Sequence, residues 1–306
     1  MEQLEFFEKL SAIEGLTILK DCELSKYTTF RIGGTADYIV EPSSYKQLLD
    51  VVTLCKQNNT PFTVLGNGSN ILASDDGYRG VVICIRHLMN KFFINDDVMT
   101  VQSGMSLMKA TTLAMQQRLT GFEFAYGIPG TVGGAVCMNA GAYGSDISDI
   151  FVSAKVLNVD NMSIYNISKE EMNFSYRHSA IQDQNLIVLE ATFGLQYGDG
   201  QKISKYMQEL LAKRESKQPL NFPSAGSTFK RPEGFFAAQL IQEADLKGYS
   251  IGGAQVSEKH SGFIINRNHA TSKDVKDLIK VVQNQVYNRF GVKLEEEVKF
   301  LEKKVV

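Results

Sequence analysis

The order of apolar and polar residues predicts a chain in which helices and strands alternate. Apolar residues recur every three or four positions over residues 6–13, which predicts a short amphipathic helix. Alternation over residues 36–40 and an apolar run over residues 62–65 predict two strands, and residues 44–57 between them predict a helix. Residues 36–65 therefore predict a β-α-β unit whose two strands pair in parallel.

Polar caps and glycines predict where several helices begin and end. Ser44 with Gln47 three residues later predicts a capping box, and Ser106 precedes another apolar stripe. A third helix is predicted after Gly198–Gly200, and a long one over residues 272–291. This mixture of helices and strands predicts a fold that combines α and β elements.

Composition and charge exclude several classes of protein. The chain has 306 residues, with 32 basic and 34 acidic side chains and a net charge of −2, so nothing in its charge favours coating nucleic acid or an anionic membrane. No apolar run reaches the ~20 residues that cross a bilayer, and the acidic N-terminus does not resemble a secretory signal. We therefore expect a cytoplasmic protein without membrane insertion or a nucleic-acid partner. Two disulfides could form among the cysteines, but free thiols are the favoured interpretation: Cys22, Cys55, Cys84 and Cys137.

Two glycine-rich clusters are the candidate cofactor site. One occupies residues 66–70, directly after the predicted strand 62–65, and the other occupies residues 127–144. Dense glycine lets backbone amides converge on a phosphate or diphosphate, although tight turns would need the same residues. The candidate cofactor-binding residues are Gly66, Asn67, Gly68, Ser69, Asn70, Gly130, Thr131, Gly133, Gly134 and Gly141.

The common nucleotide and metal motifs do not fit these clusters. Ile71 stands where a Rossmann fingerprint needs its last glycine, and neither cluster contains the lysine of a P-loop. The four histidines form no zinc-binding cluster, so no metal is expected. A nucleotide cofactor held by another fold remains.

Several motifs resemble the UDP-N-acetylenolpyruvoylglucosamine reductase family, in a consistent order over about residues 27–299. These motifs are Tyr27–Gly34, Gly66–Asn70, Gly127–Gly144, Tyr176–Ser179, Arg214–Pro219, Gly226–Pro232, Lys259–Asn266 and Glu297–Lys299. The resemblance implies an α+β protein with a two-subdomain FAD-binding fold of the vanillyl-alcohol-oxidase/PCMH type and a C-terminal α/β substrate-binding lobe. It divides the chain into FAD-binding subdomain 1 (residues 1–82), FAD-binding subdomain 2 (residues 83–200, completed by a C-terminal strand at 292–306) and a substrate-binding domain (residues 201–291).

The resemblance also implies a reaction in the synthesis of peptidoglycan precursors. Noncovalent FAD would be reduced by NADPH and would then reduce the enolpyruvyl group of a UDP-sugar to give UDP-N-acetylmuramate. The implied partners are these small molecules, and the oligomeric state is left open.

Three positions match the catalytic residues of the family. Hydride addition to an enolpyruvyl ether leaves negative charge beside a carboxylate, which a cation stabilises, and the matching position is Arg177. The carbanion must then be protonated, and the match for the acid is Ser227. The third match is Glu297, which would stabilise the intermediate.

The position of the glutamate and the substrate contacts are less specific. Glu295, Glu296 and Glu297 are consecutive, and alternation in a strand predicted at 292–301 would place Glu296 on the apolar face. The family pattern selects Glu297. The resemblance makes Lys217 a partner of the substrate diphosphate and Arg214 a contact near flavin or substrate, with further substrate contacts at Tyr143 and Tyr176.

The sequence differs from the longer family members in two ways, and two alternative functions are also considered. Only 49 residues separate Arg177 from Ser227, which indicates the shorter subclass without the tyrosine loop that closes over substrate. Arg231 stands where other members can have Asn. The alternatives are a related FAD oxidase with another substrate and a non-catalytic protein that binds a nucleotide sugar.

Overall fold

The computed structural model describes residues 2–302, with side chains from Glu5 onward. These residues cluster into two compact units. Of the described residues, unit 1 comprises 2–19, 38–67 and 81–214, and unit 2 comprises 20–37, 68–80 and 215–302. The division into three domains expected from the sequence stays a prediction.

Within residues 2–302 the chain forms eight α-helices, eighteen strands and three short 3₁₀ turns. The helices are α1 (Glu2–Ser11), α2 (Tyr45–Gln57), α3 (Leu107–Gln116), α4 (Val132–Cys137), α5 (Ile147–Ile150), α6 (Gly200–Lys217), α7 (Ala237–Glu243) and α8 (Ser272–Phe290). The first nine strands are β1 (Thr17–Glu23), β2 (Thr35–Glu41), β3 (Phe62–Leu65), β4 (Ile71–Ala73), β5 (Tyr78–Cys84), β6 (Phe92–Asn95), β7 (Val98–Gln102), β8 (Leu119–Thr120) and β9 (Gly141–Ala142). The others are β10 (Ser145–Asp146), β11 (Phe151–Asn158), β12 (Ile164–Ser168), β13 (Leu186–Gly194), β14 (Gln196–Tyr197), β15 (Ser250–Ile251), β16 (Ala254–Val256), β17 (Ile264–Asn266) and β18 (Lys299–Leu301). The 3₁₀ turns are Leu24–Lys26, Glu123–Ala125 and Ala180–Gln182.

The predicted helix starts agree with the structure, with one difference in α2. Ser44 caps α2 by accepting a hydrogen bond from the amide of Gln47 (3.2 Å). The side chain of Gln47, however, accepts from the backbone amide and the hydroxyl of Ser43, and not from the amide of Ser44 as a capping box requires. In α8, Thr271 and Asp274 form a complete capping box, and Gly291 ends the helix at φ 69°.

The predicted parallel pairing inside residues 36–65 is wrong. The four-stranded sheet has the order β1-β2-β5-β3, so β5 lies between β2 and β3, and β3 runs parallel to β5. Residues 81–84 of β5 are apolar and fully buried. A continuous apolar strand fits the interior of a sheet that is covered on both faces, which explains its central place.

A second sheet and two apolar cores complete unit 1. The five-stranded sheet has the order β12-β11-β13-β7-β6, with every pairing antiparallel. One core packs α3, α4 and α5 against this sheet, and the other packs α1 and α2 around residues from β2 and β5. The segment 127–144 contributes Val132, Ala135 and Val136 to the first core.

Unit 2 has its own core, built mainly from the C-terminal third of the chain. Helices α7 and α8 pack on the small antiparallel sheet β15-β16-β17, together with Phe30, Ile32 and Leu72 from earlier segments. No helix of the described residues is long and apolar enough to cross a membrane. All four cysteines are free thiols.

The end of the chain differs from the prediction in length and in pairing. Strand β18 covers only Lys299–Leu301 and runs parallel to β4, inside the segment predicted as subdomain 1, and not with residues 83–200. The preceding segment instead follows residues 228–230: Lys230 donates its amide to the carbonyl of Glu295 (2.8 Å), and Glu297 donates its amide to the carbonyl of Thr228 (2.8 Å). These bonds replace the longer strand expected over 292–301. Residues 303–306 of the predicted strand segment lie outside the described residues.

Candidate active site

The first glycine cluster forms a turn in which the amides of residues 67–69 have no acceptor among the described residues. Gly68 has φ 60°, and a Cβ there would lie 2.2 Å from the carbonyl oxygen of Tyr27, so only glycine fits. The carbonyl of Gly68 accepts from the amide of Thr29 (3.3 Å). Among residues 2–302, nothing accepts a hydrogen bond from the amides of Asn67, Gly68 and Ser69. Consecutive amides of this kind fit a phosphate oxygen.

Part of the second glycine cluster packs against Gly66 and Asn67 within unit 1. A Cβ on Gly66 would lie 2.5 Å from the hydroxyl of Thr131, and the side-chain amide of Asn67 donates to the carbonyl of Pro129 (3.0 Å). Thr131 caps α4 by accepting from the amide of Gly134, and Gly133 donates to the carbonyl of Ser103 (2.9 Å). The amides of these two glycines are thus used inside the protein.

Arg214 is half-buried next to this cluster, and two of its nitrogens are buried without partners among residues 2–302. Its Nε and Nη1 lie below the surface, and neither donates to any of the described residues. Burial lowers the pKa of this guanidinium. A Cβ on Gly127 would lie 3.4 Å from its Cδ. Tyr143 donates its hydroxyl to the carbonyl of Leu210 on the same helix as Arg214 (3.1 Å). An unpartnered buried cation is costly, so this corner of unit 1 fits an anionic ligand group.

The structure also brings Arg177 to the second cluster. Its guanidinium donates to the carbonyls of Asn139 (3.4 Å) and Gly141 (3.1 Å) and lies 5.0 Å from the ring centre of Tyr176. Arg177 is half-buried and has φ 58°, a left-handed conformation that an arginine rarely adopts. Thirteen non-glycine residues among those described have a positive φ, so this angle alone does not mark a functional site.

Ser227 and Glu297 lie on neighbouring backbone segments of unit 2. Ser227 follows Gly226, which has φ 77°, and precedes Thr228, whose carbonyl accepts from the amide of Glu297. The side chain of Asn70, the last residue of the first glycine cluster, donates to the carbonyl of Glu297 (3.1 Å). Three predicted site residues from distant parts of the sequence therefore meet here.

The three consecutive glutamates are distinguished by their surroundings. Glu295 is exposed and forms an ion pair with Lys230 (3.2 Å), and Glu296 accepts from the side chain of Gln283 on α8 (2.8 Å). Glu296 therefore faces the core side of the segment, as the alternation predicted. Glu297 donates its amide to the carbonyl of Thr228, the residue after Ser227, and its choice among the three glutamates stays a prediction.

Lys217 ends α6 as an exposed cation of unit 2. Burial, and then the charge of Lys217, lower the pKa of His260. His260 accepts at Nδ1 from the amide of Gly262 (3.2 Å), and Gly262 accepts at its carbonyl from Thr228. His260 is thus linked through Gly262 to the segment that carries Ser227.

Two polar residues that sequence reasoning missed hold the Arg177 turn in place. Asn139 is buried, and its side chain donates to the carbonyl of Ser175 (3.1 Å) and accepts from the amide of Ser148 (2.9 Å). Gln182 donates to the carbonyls of Arg177 and Cys137. Asn139 lies inside the glycine-rich motif and could have been singled out there, whereas nothing in the sequence marks Gln182.

Comparison with known proteins adds two family models and many relatives. The C-terminal domain of UDP-N-acetylenolpyruvoylglucosamine reductase matches residues 218–301, and an FAD binding domain matches residues 36–165. The UDP-N-acetylenolpyruvoylglucosamine reductase of Clostridium novyi is 47% identical over 302 residues, which cover 98% of each chain. The chain belongs to this reductase family. The enzyme of the same name from Clostridioides difficile is 47% identical over 296 residues, 97% of each chain.

A solved structure of the same family is similar in fold. The UDP-N-acetylenolpyruvylglucosamine reductase of Thermus caldophilus superposes with a TM-score of 0.79 at 30% identity, over 93% of this chain and 98% of that one. Together with the FAD-binding match, this confirms the predicted α+β FAD-binding fold and FAD as the cofactor. The unpartnered amides of residues 67–69 fit a phosphate of such a nucleotide.

Proposed function

We propose that this chain reduces the enolpyruvyl group of UDP-N-acetylglucosamine enolpyruvate to give UDP-N-acetylmuramate, with NADPH as the reductant, as a step in peptidoglycan precursor synthesis in the cytoplasm. The observation that carries the proposal is the pairing of the Ser227 segment with Glu297 in a chain that belongs to this reductase family over almost its whole length. Bound FAD would supply the hydride chemistry, held by the residue 66–70 turn and the cluster around Thr131.

Arg177 would bind the carboxylate of the enolpyruvyl group. Its planar guanidinium can form two parallel hydrogen bonds to a carboxylate, which Lys cannot reproduce. Its contacts with the carbonyls of Asn139 and Gly141 restrict its orientation. Charge that develops next to the carboxylate would be stabilised by this fixed cation.

Ser227 would deliver the proton that completes the reduction. A serine hydroxyl is a weak acid, but a substrate carbanion is a strong base, so an unusually low pKa is not required. Glu297, on the segment hydrogen-bonded next to Ser227, would stabilise the enol form through a hydrogen bond. The substrate diphosphate would be met by cations at Lys217 and Arg214, with Tyr143 and Tyr176 as further contacts.

An anaerobic two-step experiment tests the proposal. The yellow holoenzyme is reduced with NADPH until the flavin absorbance bleaches, and the enolpyruvyl UDP-sugar is then added without oxygen. We expect the absorbance to return with formation of UDP-N-acetylmuramate. UDP-N-acetylglucosamine, which lacks the double bond, is the matched control and should leave the flavin reduced.

The same experiment separates the alternatives. An oxidase with another substrate would stay reduced after the enolpyruvyl UDP-sugar is added without oxygen. A non-catalytic nucleotide-sugar binder would bind the sugar but would not be bleached by NADPH. Either result would contradict the proposed reduction.

A further inference from the structure

The turn that carries Arg177 is closed by few backbone contacts. The amide of Ser175 donates to the carbonyl of His178 (3.1 Å), and the amide of His178 donates back to the carbonyl of Ser175 (3.2 Å). Arg177 adopts its left-handed φ of 58° in this turn, a position where glycine is usual. The turn therefore needs support from elsewhere to keep the guanidinium in one place.

Gln182 supplies such support from the 3₁₀ turn Ala180–Gln182. Its Nε2 donates one hydrogen bond to the carbonyl of Arg177 (3.1 Å) and the other to the carbonyl of Cys137 (2.8 Å). Cys137 begins the stretch 137–141 whose carbonyls also accept from the Arg177 guanidinium. One amide group thus fixes the backbone of Arg177 relative to the stretch that its side chain contacts.

We propose that Gln182 is a positioning residue that sets the place of the Arg177 guanidinium for the substrate carboxylate. The inference rests on the role proposed above for Arg177. Both donors of the amide are used, and both acceptors are backbone carbonyls, so a side chain of the same length without donors would release the turn. Displacement of a substrate-binding group by about 1 Å can slow a reaction about 10²-fold.

The main test compares two substitutions of similar size. Gln182→Met keeps the length but removes both donors, and Gln182→Lys keeps donors on a slightly longer chain. In Gln182→Met we expect reoxidation of reduced flavin by the enolpyruvyl UDP-sugar to slow about 10- to 100-fold. Reduction by NADPH and flavin content should stay close to the parent's. Gln182→Lys should keep reoxidation within about threefold of the parent, by the same reasoning on positioning.

A control and a double mutant separate positioning from general damage. Asn185→Ala removes a nearby side-chain amide that donates to Asp160 (2.9 Å) and not to the Arg177 turn, so it should leave both half-reactions unchanged. Arg177→Lys alone should slow reoxidation strongly. Adding Gln182→Met to Arg177→Lys should slow it little further, because the amide acts through Arg177.

Each contrary result is distinct. If Gln182→Met reoxidises at the parent rate while Arg177→Lys is slow, the positioning role is refuted and the proposed function stands. Fully additive losses in the double mutant, or a Gln182→Lys enzyme as slow as Gln182→Met, would also refute it. If Arg177→Lys itself keeps the parent rate, the role proposed for Arg177 fails and the inference fails with it.

Discussion

Replacement of Arg214 should make the ligand-free protein more stable and should weaken its affinity for the anionic ligand. Its Nε and Nη1 are buried, and nothing among residues 2–302 accepts from them. Each unsatisfied buried group costs about 1–3 kcal/mol, so the pair costs about 2–6 kcal/mol. Arg214→Met removes both donors and the charge but keeps most of the apolar stem that packs beside Gly127.

The change has opposite effects on the two states. Allowing for relaxation around the arginine, we expect the free energy of unfolding without substrate to rise by about 2 kcal/mol. At about 2–4 °C per kcal/mol, the melting temperature should rise by about 4–8 °C. A hydrogen bond to a charged group contributes about 1.5–3 kcal/mol, so the affinity for the anionic ligand should fall about 10- to 150-fold.

Calorimetry with and without the UDP-sugar measures both effects, with flavin content determined in parallel. Lys205→Met is the matched control, because it removes an exposed cation from the same helix and should change neither quantity much. A fall in affinity for the UDP-sugar with unchanged flavin content would assign Arg214 to the substrate, and loss of flavin would assign it to the cofactor. A lower melting temperature together with unchanged binding of both ligands would refute the reasoning.

Three further predictions concern the acid, the glycine turn and a partly buried ion pair. Ser227→Ala should leave reduction by NADPH near the parent rate and slow reoxidation by the UDP-sugar about 10²–10⁴-fold, which stopped-flow absorbance measures; reoxidation at the parent rate would exclude Ser227 as the acid. Gly68→Ala, which places a Cβ 2.2 Å from a backbone oxygen, should yield protein with little FAD, and a full flavin complement would contradict this. Burial alone would raise the pKa of Glu190, but hydrogen bonds from Lys155 and Tyr45 (both 2.6 Å) outweigh it and lower this pKa. Glu190 therefore stabilises the fold above its unfolded pKa of about 4.5, and this stabilisation is lost as the pH falls through the lower folded pKa. In denaturant titrations, the difference in free energy of unfolding between parent and Glu190→Gln should shrink from pH 7 to pH 3. A difference that stays constant with pH would contradict this prediction.

The helices were the easiest part of the fold to predict, because their signals are local. Ser44 and Gly291 mark ends of α2 and α8, since a cap acts on residues three or four positions away. Strand pairing was harder. In the structure, β5 lies between β2 and β3, and β18 pairs with β4. The distance between these strands along the sequence does not predict which of them pair.

In the candidate site, too, local features could be predicted from the sequence, whereas contacts between distant residues could not. Glycine-rich turns can be predicted from the sequence because glycine adopts backbone angles that other residues rarely adopt, as Gly68 does. The support given by Gln182 was not predictable, since its amide acts through two carbonyls that every residue possesses. The unpartnered nitrogens of Arg214 could likewise be recognised only once the surrounding packing was known.

The position of Glu297 shows why the two kinds of information were both needed. Alternation alone could only place Glu296 on the buried face, and the structure shows what that face contacts, the side chain of Gln283. The neighbouring residue is then fixed from the other side: its carbonyl accepts from Asn70, and its amide donates to Thr228. Because Asn70 ends the glycine turn and Thr228 follows Ser227, these two bonds tie the turn expected to bind FAD to the segment expected to supply the proton. A substitution of Asn70 would therefore disturb the Glu297 segment even if the side chain never touched a ligand.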